Sequence, residues 1–156
     1  MSLDNEIKQT TFKNEHSRAM VNLIYTYNHI SSHLQKILNP HGLTLQQFNI
    51  LKILRGQHPE RTTNGMIRER MLDKNSDVTR IVDRLIKDEL AKREGCVNDR
   101  RCVNIHITQK GMELIGRIDE CSGQIDGILN MLSSREAAEL NKLLDKIREQ
   151  PEDKDS

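Results

Sequence analysis

Residues 75–108 constrain the fold more than any other stretch, because two side-chain periods meet there around a polar turn. In the first half Val78, Ile81, Val82, Leu85 and Ile86 recur at spacings of three and four, giving a helix with one apolar stripe. Asn75, Ser76 and Asp77 stand just ahead of that stripe and are helix-capping types. Ser76, Thr79, Arg80 and Arg84 fall off the stripe, so a helix docked by its apolar side presents them outward. The second half changes period. Cys102, Asn104 and His106 alternate with Val103, Ile105 and Ile107, as in a strand with one buried face. Leu90-Ala91-Lys92-Arg93-Glu94 leads into it through a turn that runs from Gly95 to Asn98-Asp99-Arg100-Arg101. A capped helix, a strand, an arginine-loaded tip and a return strand make a winged helix-turn-helix.

Short hydroxyls near a helix N-terminus, with arginine beside them, suit base edges and phosphates in a DNA major groove. The residues expected to touch DNA are therefore Asn75, Ser76, Thr79, Arg80 and Arg84 from the helix, with Lys92, Arg100 and Arg101 from the hairpin. Asp99, two positions before Arg101, is expected to orient that arginine toward a minor groove by accepting from its guanidinium. Charge is sorted along the chain in the same sense. Residues 44–111 carry 14 basic and 9 acidic side chains, a balance of +5, whereas residues 112–156 carry 6 and 11, a balance of −5. The basic excess falls on the segment that would meet phosphates. Aromatic residues make up only 3% and Trp is missing, which argues against single-strand binding by base stacking.

These residues also carry a resemblance. Asp99-Arg100-Arg101 followed by Thr108-Gln109-Lys110-Gly111 resembles the wing signature of the multiple-antibiotic-resistance-regulator (MarR) family. Ser76-Asp77-Val78-Thr79-Arg80 with Asp83-Arg84-Leu85 is similar to that family's recognition helix. The resemblance runs residue by residue over about residues 43–114, and by length and pattern over the flanking helices. It implies a mainly α fold with a small β-wing, in which a winged helix-turn-helix is flanked by N- and C-terminal dimerisation helices. It also implies a homodimer on double-stranded DNA, reading a pseudo-palindromic operator with half-sites about one helical turn apart. Repression relieved by a small aromatic or amphipathic anion belongs to the same expectation, with the ligand near Tyr25, His29, His33 and Phe48. Two positions depart from the family pattern. Glu89 stands where a glycine is usual and must take a left-handed conformation unless the turn differs. Asp77 brings a negative charge to the DNA-facing end of the helix, where it favours the helix dipole and repels phosphate.

The chain divides accordingly into three segments: an N-terminal dimerisation helix in 1–42, the DNA-binding domain in 43–110, and C-terminal dimerisation helices with a tail in 111–156. Residues 1–10 are polar and read as loosely ordered. From Lys13 to Leu38 a stripe of Met20, Leu23, Ile24, Tyr27, Ile30, Leu34, Ile37 and Leu38 predicts a long helix that needs a partner, most naturally another subunit. Asn39-Pro40-His41-Gly42 ends it, and Thr44-Leu45-Gln46-Gln47 opens the next helix with the form of a capping box. Thr63 is placed to cap a third helix, with a short strand just before Thr62. After Thr108 a long helix is expected through Ile115, Ile118, Cys121, Ile125, Ile128, Leu129 and Leu132. A second capping box at Ser133-Ser134-Arg135-Glu136 opens a last helix striped by Leu140, Leu143, Leu144 and Ile147.

Other chemistry is poorly supplied. His29 and His33 lie one helical turn apart with His41 nearby, but no matching carboxylate or cysteine completes a ligand set, so they read as polar helix-face histidines and no metal is expected. Cys96 and Cys102 flank the hairpin tip and Cys121 lies on an apolar stripe; an odd set without a secretion signal reads as reduced thiols. There is no phosphate loop, nucleophile elbow or paired-carboxylate arrangement, so neither catalytic residues nor a cofactor are expected. No apolar run reaches membrane-span length, which points to a cytoplasmic protein. The competing class is a winged-helix module that binds mainly protein.

Overall fold

The structure, a computed structural model, describes residues 3–8, 11–95, 103–120, 123, 125 and 127–149. The chain forms two compact units, residues 1–121 and 122–156.

The first unit opens with a single helical turn, α1 (Leu3–Glu6), rather than the loose segment expected there. The reason is side-chain anchoring: Leu3 is buried, Arg18 donates to Asp4 at 3.0 Å, and the Tyr25 hydroxyl donates to Glu6 at 2.9 Å. The long helix α2 (Glu15–Leu38) starts at Asn14, whose side chain accepts from the Ser17 amide at 2.9 Å. It ends in a 3-10 turn, Asn39–His41, closed by Gly42 at φ +69°. Gln35 fixes the angle at which the chain leaves this turn. Its amide donates to Asn39 Oδ1 at 2.9 Å and to the Leu43 carbonyl at 2.8 Å, and its oxygen accepts from the Leu45 amide at 3.2 Å.

The winged module then assembles around one apolar core. α3 (Leu45–Gln57) begins with the expected capping box, Thr44 accepting from the Gln47 amide and Gln47 accepting from the Thr44 amide. α4 (Asn64–Arg70) is capped by Thr63. α5 (Val78–Lys87) lays Val78, Val82 and Leu85 against Ile50, Leu51, Leu54, Ile67 and Met71, all buried. β1 (Ala91–Gly95) and β2 (Val103–Ile107) pair antiparallel, from Ala91 opposite Ile107 to Gly95 opposite Val103. The short strand anticipated near Thr62 is a single bridge to Ile105, with the Ile105 amide donating to the Thr62 carbonyl at 2.7 Å.

β2 departs from its predicted alternation: Val103 is exposed and Asn104 buried. The strand packs against α3 and α4 and is bridged by Thr62, so its middle is covered whichever way a side chain points. α6 (Gln109–Glu120) closes the module, burying Leu114, Ile115 and Ile118; Lys52 and Arg55 of α3 both reach Asp119. Of the predicted run to Leu132, Gln109–Glu120 is helical as α6, residues 123 and 125 are helical as well, and Gly127–Leu129 is a 3-10 turn.

In the second unit α7 (Ser134–Arg148) starts from the expected Ser133–Glu136 capping box. Leu143 and Ile147 on it are exposed. The architecture of the described residues is thus mainly α with a two-stranded β-wing. Among them, no helix is long and apolar enough to cross a membrane.

Candidate nucleic-acid interface

With its apolar stripe turned into the core, α5 leaves Thr79, Arg80, Asp83, Arg84 and Lys87 exposed. The helix starts directly after the last of the three capping types that stand ahead of its stripe. Asp77 is the N-cap, and its carboxylate accepts from the Arg80 amide at 3.1 Å. That resolves the conflict at Asp77, since its charge is spent on an otherwise unpaired amide of the first turn. Asn75 and Ser76 therefore belong to the preceding turn. Asn75 is exposed and its amide donates to Asp73 at 3.0 Å. Ser76 is half-buried, with its hydroxyl oxygen shielded from solvent and unpaired among the described residues. It is less outward than the stripe predicted.

The cations on this surface differ in how they are held. Arg80 has no side-chain partner among the described residues, while Arg84 lies 3.4 Å from Asp88 one turn on. Lys92 donates to Glu94 at 2.5 Å, and the second oxygen of Glu94 lies 3.5 Å from His106 Nε2. The Lys92 hydrogen bond and charge, and then His106, hold the Glu94 carboxyl below its ordinary value. Arg93, which sequence reasoning passed over, crosses from β1 to donate to Asp83 of α5 at 2.5 Å. No sequence spacing signals that pair, since its members belong to different elements ten residues apart. Asp99, Arg100 and Arg101, like Cys96, Cys102 and Cys121, lie outside the described residues.

The far end of α5 is fastened to α6. Glu89 takes φ +61°, the left-handed conformation anticipated for a non-glycine there. The Leu90 amide donates to Leu85 at 2.9 Å and the Glu89 amide to Ile86 at 3.0 Å, which completes a Schellman-type close. Lys110 donates to the Asp88 carbonyl at 2.9 Å and to the Glu89 carboxylate at 3.1 Å, and the Thr108 hydroxyl donates to the Glu89 carbonyl at 2.7 Å. Gly111 sits so near that a Cβ there would lie 2.3 Å from the Leu90 carbonyl oxygen.

A cleft of about 830 Å³ opens between the start of α3 and the outer side of α5, lined by Thr44, Gln46, Asp77, Arg80, Arg84 and Lys87 among others. The four residues predicted to surround a ligand are not gathered there. Tyr25 is engaged by Glu6, whose hydrogen bond raises the phenol above its ordinary value. His29 and His33 are exposed on α2, and Phe48 is half-buried with the Lys52 ammonium 5.9 Å from its ring centre. A second cleft, about 350 Å³, lies beside Asp4, Phe12 and Arg18 and takes in none of the four. Among the described residues no group of three or more His, Cys, Asp or Glu side chains could hold a metal ion.

Comparison with known proteins agrees with this construction. The MarR family profile matches residues 43–103, the interval from the start of α3 to the return strand. The regulator PecS of Dickeya dadantii, an HTH-type transcriptional regulator, is 31% identical over 116 residues, which span 73% of this chain and 70% of PecS. Bordetella bronchiseptica BpsR, whose DNA binding is regulated by 6-hydroxynicotinic acid, superposes with a TM-score of 0.73 at 22% identity, covering 85% of this chain and 99% of BpsR. A MarR mutant from E. coli, solved with operator DNA, superposes with a TM-score of 0.72 at 24% identity, covering 94% of this chain and 99% of that one. The two superpositions establish the shared fold and the PecS match the kinship: this chain belongs to the MarR family of DNA-binding transcriptional regulators.

Proposed function

We propose that the chain acts as a cytoplasmic homodimer that occupies a pseudo-palindromic operator, represses transcription from it, and is released by a small aromatic or amphipathic anion. The carrying observation is α5: three residues of its stripe are fully buried, while Thr79, Arg80 and Arg84 stand outward beside a paired wing. In that arrangement α5 enters a major groove, Lys92 meets a flanking phosphate, Arg100 adds a DNA contact at the tip, and Arg101, oriented by Asp99, enters a neighbouring minor groove. The operator complex of the E. coli relative supports this docking.

Dimerisation is supported by α2, where Met20, Leu23, Ile24 and Tyr27 are 64%, 40%, 58% and 64% exposed. A continuous apolar face of that kind favours a second subunit. Residues 1–42 and 111–156 supply the dimer helices on this reading. Tyr25, His29 and His33 recur every four residues along α2, so a second copy laid on that helix would complete an anion pocket that includes Phe48. The regulation of BpsR by 6-hydroxynicotinic acid supports an anionic ligand.

The test is recovery of DNA fragments bound by the protein in its source cell, followed by titration of the recovered duplex with and without phenolic acids. Enrichment of inverted repeats, with affinity that falls as acid is added, is the expected result. Recovery without sequence preference would defeat the operator reading. Affinity indifferent to millimolar acids would remove the ligand half alone.

A further inference from the structure

Asp83 is the feature of the DNA-facing surface that the functional reading does not use. It lies four residues after Thr79 and three after Arg80, so all three share one side of α5. A carboxylate amid that row repels phosphate, and nothing in the core requires it, since its side chain is 55% exposed. Among the described residues it has one partner: Nη2 of Arg93, reaching over from β1.

That contact has consequences for the arginine. Strand β1 places Arg93 on the wing, yet the pair draws its guanidinium over the recognition helix, beside the base-reading row. A guanidinium has five N–H donors in a planar fork, and this pairing engages one nitrogen only. The remaining edge is open, for the side chain is 39% exposed and no other partner is present among the described residues. Arg93 is thus oriented and half-satisfied, able to give its second edge to a DNA phosphate without leaving Asp83. Lys92, the neighbouring wing cation, pairs instead with Glu94 within its own strand.

The geometry points to Arg93 as a DNA-contacting residue of this chain, with Asp83 as its positioning residue that trades overall affinity for selectivity. This rests on the DNA-binding reading above. Asp83 weakens attraction to every duplex by its charge, and compensates on a properly docked one by holding Arg93 where a phosphate falls. On a misdocked duplex the repulsion remains and the positioned contact is lost.

The experiment uses the full chain and two probes: the duplex that wild-type protein selects from a randomised pool, and an unselected duplex of equal length. Kd is measured for each across a salt series, with thermal melts to confirm folding. Asp83→Asn should bind the unselected duplex more tightly, yet lower the ratio of unselected to selected Kd by about tenfold. Arg93→Ala should weaken the selected duplex by about tenfold and reduce its salt slope by about 0.9, one phosphate's worth. Arg93→Lys keeps the charge but lacks the two-edged fork, so the slope should persist while the ratio falls. An unchanged or larger ratio in Asp83→Asn overturns the proposal, as does a wild-type salt slope in Arg93→Ala. Failure of the wild-type chain to bind any duplex in a salt-dependent way would instead overturn the DNA-binding reading, and this proposal with it.

Discussion

Helices α5 and α2 are both amphipathic, with apolar residues every three or four positions, but they end in opposite states. Val78, Val82 and Leu85 of α5 are completely buried within their own chain. On α2 the stripe is covered only toward its end, where Leu38 is buried against the start of α3, and it lies open from Met20 to Tyr27. The same sequence period thus encodes two different things. Where neighbours of the same chain arrive from both sides, it encodes a core; where they do not, it encodes a surface kept for something else. The open stripe belongs to the long helix, whose 24 residues outrun anything the first unit can lay beside it.

Truncating each stripe should separate the two cases. Leu85→Ala should destabilise the folded subunit by about 2–5 kcal/mol, the usual range for a fully buried leucine. It would be read as an earlier urea midpoint at any protein concentration. Ile24→Asp should leave the urea midpoint of a highly diluted sample nearly unchanged and abolish self-association by sedimentation. Equal loss of subunit stability in both variants would erase the distinction.

The next effect sharpens the closed side. Gly111→Ala forces a methyl group against the Leu90 carbonyl and Ile107, so α6 or the α5 turn must shift. The expected cost is about 1–3 kcal/mol, as for other overpacked sites, measured by chemical denaturation. Glu89→Gly should do the reverse on a smaller scale. It relieves a left-handed non-glycine, gives up the exposed contact with Lys110 and makes the unfolded chain freer, for a net gain of roughly 0.5 kcal/mol.

The smallest effect concerns acid. Burial raises the Asp119 carboxyl, but the Arg55 hydrogen bond and charge, with Lys52, outweigh it and leave the group lowered. A depressed carboxyl contributes stability that is complete above the ordinary aspartate value of about 3.9 and is lost as pH falls below it. Asp119→Asn should therefore lower stability slightly at neutral pH and flatten the decline below about pH 4. A wild-type slope in that variant would show that the α3–α6 tie carries no stability.

Much of this was legible in the residues because it is local. Thr44 with Gln47, Thr63, and Ser133 with Glu136 announce their helices through side chain-to-backbone bonds spanning three residues, and each is formed. The left-handed Glu89 was readable only through the family resemblance, which places a glycine there and left a different turn as the other possibility; φ of +61° decides between them. What escaped is what depends on the third dimension. Burial of Asn104 arises from the bridge at Thr62 and the helices behind β2, which no alternation pattern records. Arg93 was passed over because its meaning lies in Asp83, on another element. The role of Asp77 was ambiguous until the first turn of α5 showed which amide it serves.

The junction between α5 and α6 contains two positions that can be mistaken for one requirement. Position 89 needs a particular backbone angle, and position 111 needs empty space. An angle can be met at modest cost by several residues, since Asn and Asp tolerate the left-handed region and Glu here does so with help from Lys110. Space beside a carbonyl oxygen cannot be negotiated in that way. In a library randomised at both sites and selected for folded protein, position 89 should return a mixed population including Gly, Asn, Asp and Glu. Position 111 should return glycine alone.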